Sequence, residues 1–181
     1  MKELIKIEDL YKDLDAVHKQ NELNKLLNCE PKAEWIKINE LTGSRHLPIQ
    51  IVESLLTSIF TRWWVEIKEV TQLVNSVSVT VRLYVIDPLS KETMWQDGVG
   101  AVPFTVAKGF LATDFEGIEL LSVQTAVPMA KSYAIKDAAE CFGRIFGKDL
   151  NRKDTININP AIAKKQRPSK FATMNAPDGQ Q

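Results

Sequence analysis

Residues 76–86 read Ser-Val-Ser-Val-Thr-Val-Arg-Leu-Tyr-Val-Ile. Val77, Val79, Val81, Leu83 and Val85 fall at every second position, with Ser78, Thr80, Arg82 and Tyr84 between them. A two-residue period places all five apolar side chains on one face of an extended chain, so this segment predicts a β-strand with one buried face. Upstream, 64–73 (WVEIKEVTQL) predicts a second strand, joined to the first by Val74 and Asn75. Downstream, Asp87-Pro88-Leu89-Ser90 predicts a turn, and 94–104 (MWQDGVGAVPF) a third strand. Links this short favour antiparallel neighbours, hence a three-stranded meander.

Helical spacing flanks the strands. Leu10, Leu14, Val17, Leu23, Leu26 and Leu27 predict an amphipathic helix over about 8–28. Glu34 to Asn39 alternates as a short strand, and a loop over 42–46 leads to Pro48. Pro48 suits a first helical turn, and Ile51, Val52, Leu55, Leu56 and Ile59 supply that helix's apolar stripe to about Phe60. Residues 105–127 carry no clean period. From Pro128, the positions Ile135, Ala138, Ala139, Phe142 and Ile145 predict a long helix, with Gly147 just past its end. That reading places Gly143 in mid-helix, at a cost of about 1 kcal/mol relative to Ala, so tight packing on its own sheet or close approach by another backbone or a ligand would explain it. Gly98 and Gly100 are read as marking a bulge or a close approach.

The expected fold is α+β: a three-stranded antiparallel β-meander packed on a long C-terminal-side helix, with N-terminal helices. The expected organisation is an N-terminal helix over 1–30, a core domain over 31–151 and a basic tail over 152–181. One helix covers one sheet face, so the other face and the sheet edges are left for a second copy or a ligand.

Composition narrows the chemistry. The 181 residues carry 23 basic and 23 acidic side chains. Zero net charge gives no general attraction for nucleic acid, so any phosphate binding must come from a local field. Cys29 and Cys141 are far apart and form no metal-binding spacing, which fits a reducing compartment. The N-terminus lacks a secretory h-region, and a cytoplasmic location is expected. No phosphate-cradling GxxxxGK[ST] occurs, nor GxSxG or HExxH. His18 and His46 are read as a solvated helix residue and a loop residue. Glu66, Glu69 and Asp97 could be imagined as nuclease carboxylates, but simple alternation places Glu66 and Glu69 on opposite strand faces. The expectation is therefore a non-enzyme with no cofactor and no metal.

Three segments in order carry a family likeness. The first is an apolar helix entering an aromatic strand start, 49–64. The second is the hairpin at 76–86 followed by Trp95-Gln96-Asp97-Gly98-Val99-Gly100. The third is 130–150, AKSYAIKDAAECFGRIFGKDL. Together, over 43–151, they resemble the Rad fifty-two superfamily of single-strand annealing proteins, phage recombinases among them. The resemblance implies ATP-independent binding of single-stranded DNA and annealing of complementary strands in recombination and repair, by a homo-oligomeric ring or helical filament. Phosphates would lie inward in a basic groove, with bases outward.

In that likeness Lys136 matches the family's groove lysine, whereas Asp137 and Glu140 stand at positions where the family carries basic residues. Lys131, Arg144 and Lys148 are further candidate DNA contacts, and Lys136, Glu140 and Arg144 could alternatively form a surface ion-pair ladder. Arg82 and Lys68 are candidates on the sheet, with Tyr84 beside Arg82. Lys37 and Arg45 lie near a further basic position of the family's groove. Trp35, Trp63, Trp64 and Trp95 are read as core or subunit interface. Lys164, Lys165, Arg167 and Lys170 could add DNA affinity or recruit the host's single-strand binding protein. The rival readings are a single-strand binding protein without annealing activity and a structural or adaptor oligomer.

Overall fold

The structure is a computed structural model, which describes residues 14–40, 42–111 and 113–152. Residues 153–181 of the expected basic tail lie outside the described residues, as do residues 8–13 of the expected first helix. In chain order the elements are α1 (Leu14–Asn28), β1 (Lys37–Ile38), β2 (Arg45–His46), α2 (Ile49–Ile59), β3 (Arg62–Leu73), β4 (Ser76–Ile86), β5 (Thr93–Pro103) and α3 (Leu120–Glu140). Strands β3, β4 and β5 form the expected antiparallel meander with β4 in the centre. The fold is α+β, with α3 packed on the sheet.

The alternation in β4 is reproduced along its whole length: Val77, Val79, Val81, Leu83 and Val85 are buried. Burying each such side chain stabilises the fold by about 1.5–3 kcal/mol. They meet the helices in two clusters. Leu83 and Val85 join Val52, Leu55, Leu56 and Phe60 from the α2 end. Val77, Val79 and Val81 join Val102, Ala126, Ala130, Ala134 and Ile135.

The seam between α3 and β5 is built from small residues. A methyl group on Gly98 would run into the carbonyl oxygen of Ala134 and the amide nitrogen of Ala138. One on Gly100 would meet the backbone of Ala130 and Ala134 and stand 2.8 Å from Tyr133 Cβ. These glycines therefore mark close approach by a helix, and the strand pairs with β4 there in unbroken register.

Four expectations are corrected. Helix α3 begins at Leu120, eight residues before Pro128, and ends at Glu140, not near Gly147. Its first turns were hidden because Leu120, Leu121 and Val123 are exposed while the buried positions are the small Ser122 and Ala126, so no 3.6-residue apolar stripe exists there. Gly143 consequently lies outside the helix, with φ of 165°. It is still approached by a backbone: a methyl on it would strike the Leu27 carbonyl of α1. Gly147 is left-handed, as a terminating glycine should be, but it closes the 3-10 turn Arg144–Phe146. Arg45 and His46 form a strand, not a loop, pairing with Ile38 and Lys37.

Leu27 of α1 packs on the main core, and the described residues from 14 to 151 form one compact unit. Among the described residues no helix is long and apolar enough to cross a membrane.

Candidate nucleic-acid interface

The β1–β2 hairpin and the entry of α2 stand beside the outer surface of α3, leaving a groove of about 340 Å³. His46, Pro48 and Ile49 form one wall, and Pro128, Met129, Ser132, Tyr133 and Lys136 the other. Helical spacing explains the second wall, since 129, 132, 133 and 136 lie on one face of α3 at i, i+3, i+4 and i+7. Pro128 has no amide hydrogen, and Ser132 donates its hydroxyl to the Pro128 carbonyl at 3.0 Å.

Lys136 is half-buried, and its ammonium sits 4.7 Å from the centre of the Tyr133 ring. Burial pulls its pKa below the ordinary lysine value, and Glu140 one turn on acts in the opposite direction. Burial, with Asp137 nearby, raises the Glu140 carboxyl in turn. On the facing hairpin Lys37 is directly opposite His46, so the two side chains share one face. Lys37 makes no ion pair among the described residues. His46, read from sequence as a loop residue ahead of a helix that could donate to a phosphate, lines the groove. The hint was its place immediately before the Leu47-Pro48 helix entry.

The remaining candidates divide by what they already hold. Arg45 donates to the Leu150 carbonyl, and its backbone exchanges hydrogen bonds with the Asn151 side chain at 2.7 and 2.8 Å. It fastens the hairpin to the end of the compact unit. Arg144 pairs with Glu30 at 2.9 Å and lies 3.9 Å from Asp149, joining the segment after α3 to the chain after α1. The ion-pair ladder considered from spacing does not form, because the helix ends at Glu140 and Arg144 lies beyond it. Lys131 and Lys148 are exposed, and neither lines the groove.

Arg82, Tyr84 and Lys68 do share the sheet face away from α3, but they are engaged there. Arg82 makes a two-pronged bond to Asp97 at 2.7 and 2.8 Å, which raises the guanidinium pKa and lowers that of the carboxylate. The guanidinium also lies 3.7 Å from the centre of the Trp95 ring. Glu66 accepts from the Tyr84 hydroxyl at 2.9 Å and from Lys68 at 3.1 Å, and both hold its carboxyl below the usual range. Trp64 stacks on Tyr84 with ring centres 5.0 Å apart. Arg62, Lys68 and Arg82 on this face are matched by Glu66, Glu69 and Asp97, so it presents a phosphate chain with a balanced field.

That matching depends on a feature alternation could not reveal. The β3–β4 register slips between Ile67 and Glu69, making Lys68 the extra residue of a bulge. Glu66 pairs with Arg82 and Glu69 with Thr80, so both carboxylates lie on the outer face, against expectation. Among the described residues no group of three potential ligands is placed to hold a metal ion. The tryptophans split. Trp35 and Trp63 pack on the core, whereas Trp64 and Trp95 remain 37% and 49% exposed.

Asp137, at a position the resemblance would make basic, has a structural task. Its carboxylate accepts the Val99 amide at 3.0 Å on the outward edge of β5, which has no strand partner among the described residues. No family model and no curated protein matches this sequence.

Proposed function

We propose that this protein binds single-stranded DNA along the groove between the β1–β2 hairpin and α3, and that as a homo-oligomer it anneals complementary strands without a nucleotide cofactor. The observation that carries the reading is Lys136, held half-buried at a groove that also receives His46, with Lys37 beside it. In a chain of zero net charge a polyanion needs such a local cluster. The resemblance to the annealing superfamily points to the same lysine, and it implies the same order of three strands and a helix. Apolar side chains left exposed on β3 and at the start of α3, among them Ile67, Val70, Leu120 and Leu121, support assembly of several copies. Annealing follows from such assembly: neutralised phosphates remove strand repulsion while most bases stay free to pair.

The test combines two measurements on the full chain. Labelled complementary oligonucleotides should pair faster with the protein than without it; slower pairing would mark a protective single-strand binder instead. Filter binding across salt concentrations should give a log–log slope of roughly −0.7 per phosphate contact. Lys136→Ala should weaken binding and flatten that slope by about one contact. Unchanged binding would remove Lys136 from the site, and no binding in dilute buffer would overturn the proposal.

A further inference from the structure

The groove at Lys136 is more than a cationic surface. Its walls are mainly apolar: Pro48, Ile49, Pro128 and Met129 surround the Tyr133 ring, which is 42% exposed. Its volume of about 340 Å³ stands at the lower end of the roughly 300–1,000 Å³ typical of small-ligand sites. A phosphate needs none of this. A flat, weakly hydrated group beside a phosphate does.

We propose that each subunit seats one nucleotide of the bound strand in this groove, its base against the Tyr133 ring and its phosphate on Lys136. This inference rests on the DNA-binding reading above and deepens it. The ring and the cation are already in contact: the ammonium lies over one face of the ring, 4.7 Å from its centre, so a base would use the ring's remaining exposed surface. That matches the composition of a nucleotide, whose aromatic and anionic parts are joined by one sugar. His46, on the opposite wall, brings an imidazole to the same groove. An open apolar groove with an aromatic ring and one cation therefore complements the base and phosphate of one nucleotide, and a base enters it only after leaving a helical stack. The consequence is selection of single strands over duplex. The sheet face does not offer the same, since the cation over Trp95, Arg82, is already paired with Asp97, and Trp64 lies against Tyr84.

The experiment uses full-length protein, an oligothymidylate carrying 2-aminopurine at successive positions, and an abasic oligomer of equal length. Stacking on an aromatic ring quenches 2-aminopurine, so binding should quench it. Y133L should weaken binding of the base-bearing strand about 5- to 150-fold, the range for losing one aromatic stack, while Y133F recovers most of it. The abasic strand should bind the parent protein weakly, and Y133L should weaken it no further. Leucine keeps the Cβ that packs beside Gly100, so the variant retains that contact with β5. If parent and Y133L lose the same factor on the abasic strand, or 2-aminopurine is not quenched, the base does not use this ring and the inference fails while DNA binding stands. If the parent protein binds neither oligomer, the underlying function fails with it.

Discussion

Replacing Gly98 by alanine adds one methyl group where α3 leaves no room for it. In a strand interior the exchange should help by roughly 0.5–1 kcal/mol, because alanine has less unfolded freedom to lose. Against that stand the Ala134 carbonyl and the Ala138 amide, both in the path of the new Cβ, and the Ala138 methyl 2.8 Å away. Overpacking costs about 1–3 kcal/mol where side chains can turn aside. Here the obstruction is helix backbone and no rotamer change relieves it, so the upper end applies and the net loss is about 2 kcal/mol. At roughly 2–4 °C per kcal/mol for a domain of this size the melting midpoint should fall by about 4–8 °C. In urea, with a slope of about 2 kcal/mol per molar, the midpoint should fall by about 1 M. Tryptophan fluorescence reports the transition, because Trp63, Trp64 and Trp95 stand on β3 and β5. Adding Ala138→Gly should not restore the midpoint, since the Ala134 carbonyl would remain. A G98A protein that melts at or above the parent's midpoint would refute the close seam, and full recovery in the double variant would show the barrier to be a side chain.

Other outcomes follow from the groups around the groove and the outer sheet face. Burial depresses the Lys136 pKa, so its charged form is costly in the fold and Lys136→Met should raise the neutral-pH melting midpoint while weakening DNA binding; a lowered midpoint would contradict the stated balance. The Glu140 carboxyl is raised, so its contribution is present when it is protonated and is lost as pH rises through the folded value. Glu140→Gln should therefore stabilise at neutral pH and make no difference once pH lies below the ordinary carboxylate range, as calorimetry at both pH values would show. Arg82→Ala should leave oligonucleotide affinity within a factor of about two while lowering stability, because its charge is already committed to Asp97; a large loss of affinity would place DNA on the sheet face.

The sequence revealed most where one period ran unbroken. Five alternating residues in β4 specified the strand, its buried face and its central place, because a two-sided environment imposes that pattern directly. It concealed what depends on a single inserted residue or on small side chains. Lys68 looks ordinary in the string, yet as a bulge it moves Glu66 and Glu69 to one face. The start of α3 was illegible because Ser122 and Ala126 are buried by proximity and not by hydrophobic bulk. In the groove, the resemblance singles out Lys136, whereas Tyr133 stands out only where hairpin and helix come together. Arg144 and Arg45 resembled DNA ligands as isolated cations, but each has a fixed partner more than a hundred residues away in sequence.

The half-burial of Lys136 has a thermodynamic consequence for any anion that arrives there. Part of the ammonium's water shell has already been stripped away by the collapse of the chain around it. An incoming phosphate meets a partly dry cation and has less solvent to displace, so dehydration that would otherwise oppose association has been transferred to the folding step.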